Sequence, residues 1–170
     1  MKIFSTIKIT LVCVFAIFNL SSYNNFQQNN PQKLTIIVLL PYDEIANAGI
    51  SPTVREIIEE NIEYQDFSIM KFPFKKLMGV PYQNVFDKKF CKPILQKIKA
   101  DVIIMSKIDQ VSGNGNMETD KWNLKIRIYD VKNNKQKNSS LRGENLNTLE
   151  LENFIVKNRE TLIKEIKNNR

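Results

Sequence analysis

Histidine is absent from this 170-residue sequence, and cysteine occurs only twice. A single chain without histidine cannot carry out Ser-His-Asp or Cys-His catalysis, and it cannot hold a histidine-ligated zinc ion. Cys13 lies in an amino-terminal leader, so a mature chain would keep only Cys91, which is too few for an internal disulfide or a thiolate metal site. We therefore expect no metal and no cofactor, and we expect packing to hold the fold together.

The amino-terminal segment has the pattern of a secretory signal peptide, residues 1–22. Two lysines precede an apolar run from Ile9 to Leu20, and two serines follow it. The run is shorter than the roughly 20 residues of a membrane span, so we expect cleavage near Ser22 and no stable span afterwards. The protein is then periplasmic or secreted. Because no A-x-A-like cleavage site is present, an uncleaved anchor is the alternative.

Basic residues outnumber acidic residues by 25 to 18, which gives a formal net charge of +7. The basic residues are scattered, and their local concentrations are Lys75-Lys76, Lys88-Lys89 and Lys132 to Lys137. A solvated surface accounts for this pattern, so we expect no nucleic-acid partner. A binding site for nucleic acid or for an anionic surface is the alternative.

Composition divides the remaining chain into a short leader and one domain. Residues 23–32 are rich in Asn and Gln, which predicts a disordered segment ahead of a single domain over 33–170. The run KLTIIVLLP, residues 33–41, is continuously apolar after its first residues and stops at a proline. This pattern predicts a strand that is covered on both faces, as in α/β sheets.

Periodicity predicts the remaining elements. In order, they are a helix at 51–62, a strand that starts at Asp66, a helix at 87–100, strands at 101–108, 121–131 and 135–141, and a helix at 148–167. Pro93 either kinks the helix at 87–100 or marks its first turn, in which case the helix begins near Cys91 or Lys92. Asn133-Asn134 predicts a two-residue hairpin turn. The order β-α-β-α-β-β-β-α indicates an α/β fold with a mixed sheet in a single two-layer or three-layer domain.

Two of these strands supply the predicted centre of the core. In the strand at 121–131, apolar residues alternate with polar ones, which indicates one buried face and one exposed face. The predicted core residues are Val102, Ile104, Ile108, Trp122, Leu124 and Ile126. The connecting SGNGN lacks the Lys-Ser/Thr of a phosphate-binding loop and predicts a flexible loop. Cys91 is expected to be a buried, unreactive residue.

Three stretches resemble those of a family of exported bacterial modules. They are IIVLLPYDE, KADVIIMSKID and WNLKIRIYDVKNNKQ, spread over residues 33–136. There the sequence is similar to the α/β domains at the amino end of TolB-type periplasmic proteins and in CsgG and LpoB-like outer-membrane lipoproteins. Ser106-Lys107 departs from the family, which often has glycine at this place. The resemblance implies the same fold, a protein partner in the cell envelope, and a binding or assembly role without catalysis.

Polar residues at the ends of the two doubly covered strands form the first candidate site. Ligands of open α/β sheets bind beyond the carboxyl ends of the strands, so adjacent parallel strands would bring these residues to one rim. They are Tyr42, Asp43, Glu44, Lys107 and Asp109. Paired carboxylates there could serve a hydrolase or bind a cation or small ligand, whereas solvated loop residues are the simpler interpretation.

The stretch FPFKKLMGVPY forms the second candidate site, because it concentrates apolar side chains between prolines. They are Phe72, Phe74, Leu77, Met78 and Tyr82. Packing beneath a loop explains such residues, and an exposed part of them would be a patch for a protein partner. We therefore predict a non-enzymatic, envelope-associated or periplasmic interaction module. A carboxylate-based hydrolase, or a sensor of a small ligand or cation at the rim, is the alternative.

Overall fold

The computed structural model describes residues 32–43, 50–114, 116 and 119–168. The expected signal peptide, its cleavage site near Ser22 and nearly all of the expected disordered leader lie outside these ranges. None of the helices within these ranges is long and apolar enough to cross a membrane.

The described residues form a six-stranded mixed sheet. Its strands are β1 Leu34–Val38, β2 Tyr42–Asp43, β3 Phe67–Ile69, β4 Val102–Ser112, β5 Lys121–Asp130 and β6 Lys135–Leu146. The order across the sheet is β3-β1-β4-β5-β6, and β2 pairs with the second half of β4. The pairs among β1 to β4 are parallel, whereas β4-β5 and β5-β6 are antiparallel. The predicted α/β class with a mixed sheet is confirmed.

The helices differ from the prediction in two places. The described helices are α1 Ile50–Asn61, α2 Lys92–Leu95, α3 Thr148–Lys157 and α4 Arg159–Lys167. In the helical stretch predicted at 87–100, a 3-10 turn, Lys88–Phe90, precedes α2, which begins at Lys92 with Pro93 in its first turn, as one predicted alternative has it. α2 ends at Leu95, earlier than predicted. The predicted helix at 148–167 is divided at Asn158. Its side chain donates a hydrogen bond to the carbonyl of Phe154 at 2.8 Å, which competes with helical bonding.

The connection between β5 and β6 is a four-residue turn, 131–134, instead of the predicted two-residue turn. Asn134 nevertheless takes a positive φ of 51°, a conformation that asparagine tolerates. The carboxylate of Asp130 closes the longer turn by accepting hydrogen bonds from the backbone and side-chain nitrogens of Asn133 at 2.9 and 2.6 Å. β6 is also longer than predicted and ends at Leu146.

Apolar residues fill both faces of β1 and of the first half of β4. On one face, α1, α3 and α4 pack over a cluster that contains every residue predicted for the centre of the core: Val102, Ile104, Ile108, Trp122, Leu124 and Ile126. On the other face, segment 72–98 buries Ile103 and Met105 beneath its own apolar side chains. The domain therefore has three layers.

The third layer is shorter than the sheet beneath it. Among the described residues, segment 72–98 covers β4 as far as Met105, and the next side chains on that face, Lys107 and Asp109, are partly exposed. Lys125, the neighbour of Lys107 on β5, is exposed. We call this uncovered part of β4, β5 and β6 the open face of the sheet.

Candidate functional site: the rim, the aromatic patch and the basic cleft

The rim brings three of its predicted residues together on the open face. β2 pairs with β4 so that Tyr42 lies beside Lys107, and Nζ of Lys107 stands 5.3 Å from the centre of the Tyr42 ring. Lys107 also forms an ion pair with Asp109, with 2.9 Å between Nζ and Oδ1. The rim is therefore a Tyr-Lys-Asp group in which the carboxylate of Asp109 already has a cationic partner.

Asp43 lies on the opposite face of the sheet. It pairs with Ile108, a residue of the helix-side core, and successive strand residues alternate between faces. Asp43 is buried, and its Oδ2 lies 3.5 Å from the hydroxyl of Ser51 at the start of α1. The sheet thus separates Asp43 from Asp109, and these two carboxylates do not form an acid–base pair. Glu44 lies outside the described residues, among which there is no group of three or more potential metal ligands of the Asp, Glu, Cys and His types.

The second candidate site, which we call the aromatic patch, consists of Phe72, Phe74, Leu77, Met78 and Tyr82. Some of its side chains are buried and others are exposed. Phe72 and Leu77 are buried in the core of the third layer. Phe74 is 52% exposed, Met78 is 78% exposed, and Tyr82 is partly exposed. Ring centroids lie 4.5 Å apart for Phe72 and Phe74, 5.4 Å for Phe72 and Tyr82, and 6.4 Å for Phe74 and Tyr82. The exposed ring of Phe74 is therefore held by contacts with two neighbouring rings.

A buried arginine beneath this patch was not predicted. Arg55, on α1, is only 8% exposed, and its guanidinium carbon lies 5.6 Å from the centre of the Phe72 ring. It forms ion pairs with Glu56, at 3.2 Å, and with Glu59 one helical turn later. The i,i+4 spacing of Arg55 and Glu59 is a signal for the pair, but spacing alone does not show that the arginine faces the protein interior.

Cross-strand pairing aligns three basic side chains on the open face. Lys107 pairs with Lys125, and Lys125 pairs with Arg142, across β4, β5 and β6. Like charges at directly opposed positions repel one another, and at one end of this row Lys107 is paired with Asp109. The three residues are far apart in the sequence, and only the register of the strands brings them together.

The lysine concentration Lys88-Lys89 and the β5–β6 turn meet at one cleft. Nζ of Lys88, in the 3-10 turn, donates a hydrogen bond to the backbone carbonyl of Asn134 at 2.7 Å. The backbone N–H of Lys88 donates to Oε1 of Gln136 at 2.6 Å. The basic cleft between these two segments has a volume of about 520 Å³ and is lined by residues that include Lys88, Lys89, Lys92, Gln96, Tyr129 and Asn134.

Burial sets the protonation of two groups beside this cleft. Burial, with a smaller contribution from the charge of Asp87, raises the pKa of the Cys91 thiol to about 12. Burial also raises the pKa of Tyr129, with the charges of Cys91 and Asp130 as lesser causes. Cys91 is thus buried, as predicted, and its thiol stays protonated at neutral pH, where it is a poor nucleophile. The Tyr129 hydroxyl stays able to donate a hydrogen bond.

No protein-family model and no curated protein matches the chain. Among solved structures, the hypothetical protein CT253 from Chlamydia trachomatis is 13% identical, with 80% of this chain and 94% of that chain covered and a TM-score of 0.39. A PelC dodecamer from Paraburkholderia phytofirmans is 12% identical, with 77% and 87% covered and a TM-score of 0.41. Lipoprotein GNA1162 from Neisseria meningitidis is 14% identical, with 79% and 97% covered and a TM-score of 0.40. These likenesses are weak and concern the fold alone.

Proposed function

We propose that this protein is an exported, non-enzymatic module of the cell envelope that binds a protein partner. The signal-peptide pattern supports export, and the resemblance to TolB-type proteins and to CsgG and LpoB-like lipoproteins supports an assembly role. Several chemical features argue against catalysis. The sequence has no histidine, the thiol of Cys91 is buried and protonated, and the sheet separates the carboxylates of Asp43 and Asp109.

The observation that carries the proposal is the exposed part of the aromatic patch. Phe74 and Met78 are 52% and 78% exposed, respectively, although Phe72 and Leu77 of the same stretch are buried. Aromatic and methionine side chains are enriched at protein interfaces, where Met adapts to irregular surfaces. The exposed Lys75 and Lys76 lie between them in the sequence. The partner therefore presents an apolar surface with acidic residues at its edge.

Site-specific photo-crosslinking in the envelope of the producing organism tests this proposal. A benzophenone amino acid at position 78 is expected to give a discrete adduct with one protein, and Phe74→Ser is expected to abolish it. The control position is 149, because Leu149 on α3 is also exposed, at 66%. Equal adducts from both positions, or recovery of the protein only from the cytoplasm, would show that the proposal is wrong.

The rim supports a second candidate function, the binding of a small ligand. The ring of Tyr42 and the ammonium group of Lys107 lie together on this side of the sheet, and both residues are partly exposed. If the rim is a sensor site, one compound from a metabolite library should raise the melting temperature of the protein, and Lys107→Met should remove the shift. An unchanged shift in this variant would place the ligand elsewhere.

A further inference from the structure

The basic cleft concentrates positive charge without an acidic residue in its wall. Lys88, Lys89 and Lys92 line it, and among the described residues that form its lining there is no Asp or Glu. Asp87 is adjacent in the chain, but its carboxylate accepts a hydrogen bond from the backbone N–H of Lys89 at 3.1 Å and lies 3.6 Å from Arg127. The carboxylate of Asp130 is bonded to the β5–β6 turn. The carboxylates of Asp87 and Asp130 therefore bond to groups other than the three lysines' ammonium groups.

Hydrogen bonds hold the two walls of the cleft in place. Lys88 bonds to Asn134 through its ammonium group and to Gln136 through its backbone, so the 3-10 turn is joined to the β5–β6 hairpin. The hydroxyl of Tyr129 lies 3.3 Å from Oδ1 of Asn134, which ties the floor of the cleft to the same turn. A site that is already ordered loses little conformational freedom when a ligand binds.

The lining fits a phosphate group attached to a larger molecule. Lysine ammonium groups act as compact point charges with several donors, and a phosphate supplies up to two negative charges and several acceptor oxygens. Gln96 adds a neutral donor, while Leu95 and Val131 supply apolar surface next to the lysines. The volume of about 520 Å³ lies within the usual range of roughly 300–1,000 Å³ for small-molecule sites.

We propose that the basic cleft binds the phosphate group of an anionic phospholipid headgroup or of a soluble phosphate ester. This function is separate from the proposed partner patch, because the cleft uses the 3-10 turn, α2 and the β5–β6 turn, whereas the patch uses Phe74 and Met78. If the phosphate belongs to a lipid headgroup, the cleft would hold an exported protein at the membrane surface. If it belongs to a soluble ester, the cleft would be a small-ligand site.

Vesicle sedimentation and thermal shifts with the full-length protein distinguish these sources. The protein is mixed with phosphatidylcholine vesicles with or without phosphatidylglycerol, and separately with inorganic phosphate and glycerol phosphate. The double variant Lys89→Gln/Lys92→Gln should bind phosphatidylglycerol vesicles or the phosphate compounds more weakly by about tenfold or more. The control is Lys157→Gln/Lys164→Gln, which removes two exposed charges from α3 and α4. All proteins carry the same amino-terminal segment, so any binding through it is equal.

Selective loss in the cleft variant supports the proposal. If only phosphatidylglycerol vesicles bind, the ligand is a lipid headgroup, and if the small phosphates also raise the melting temperature, it is a soluble ester. Equal losses in the two double variants would overturn the proposal, because diffuse surface charge would then explain the binding. Failure of the unmodified protein to bind any of these probes would also overturn it. Photo-crosslinking at position 78 does not depend on these outcomes.

Discussion

Nζ of Lys88 donates a hydrogen bond to the backbone carbonyl of Asn134 across 46 residues of sequence, at 2.7 Å. This bond joins the irregular third layer to the β5–β6 hairpin, and it fixes one side of the basic cleft. Lys88 therefore has a structural role in addition to its charge.

Replacing this lysine tests its structural role. Lys88→Met keeps the apolar stem but removes the donor, so we expect the free energy of unfolding to fall by about 1 kcal/mol. Urea denaturation measures the change. The matched control is Lys89→Met, because Lys89 is exposed and should contribute less than about 0.5 kcal/mol. Equal effects of the two substitutions would mean that the bond to Asn134 does not stabilise the fold.

The helix-side core provides a second prediction. Ile126 is 2% exposed and lies in the cluster between β5 and the helices. Ile126→Ala should lower the free energy of unfolding by about 2–5 kcal/mol, through lost burial and a residual cavity. Asn114→Ala, in the exposed loop after β4, should change it by less than about 0.5 kcal/mol, because the substitution keeps the backbone nitrogen that bonds to Asp120. A loop variant as destabilised as Ile126→Ala would show that the Asn114 side chain has a packing role.

Cys91 should resist alkylation in the folded protein. Its pKa is raised to about 12, so at pH 8 the reactive thiolate is scarce, and burial blocks access to it. Mass spectrometry after treatment with iodoacetamide should find Cys91 unmodified in the native protein and modified in denaturant. Cys13 provides an internal comparison wherever the leader is retained. Rapid modification of native Cys91 would contradict its assigned burial.

The row of basic residues on the open face yields a stabilising substitution. Lys125→Glu would place a negative charge opposite both Lys107, which already pairs with Asp109, and Arg142. We expect the free energy of unfolding to rise by about 0.5–1 kcal/mol at low salt, and less at high salt. Lys132→Glu, in the exposed turn, makes the same charge change without these neighbours. An equal gain from Lys132→Glu would attribute the effect to net charge.

Local patterns in the sequence predicted the strands in which buried residues recur at regular intervals or without interruption. The alternation from Trp122 to Ile128 identified the buried face of β5, because side chains of a strand point to opposite faces in turn. The continuous apolar runs of β1 and β4 predicted strands that are covered on both sides, and this cover produces the three layers. The class and order of the main elements therefore followed from short-range periodicity.

Elements that depend on side-chain competition or on distant pairing did not follow from periodicity. The break at Asn158 arises from one side-chain hydrogen bond inside an otherwise helical pattern. The two-residue strand β2 is too short to have a period, and it exists because β4 extends beyond β1 and offers it a partner. The bounds of these elements were decided by tertiary contacts.

Some features of the candidate sites were also predictable from the sequence, and others were set only by the tertiary structure. Residue types alone removed histidine and thiolate-metal chemistry, and the sequence by itself located the apolar stretch that holds Phe74 and Met78. Only the tertiary structure separated Asp43 from Asp109, because the two lie on different faces of one sheet. Only the tertiary structure brought Lys88 to Asn134 and thereby formed the basic cleft. Such pairs are set by strand register and layer packing, which act over long sequence distances that no local pattern records.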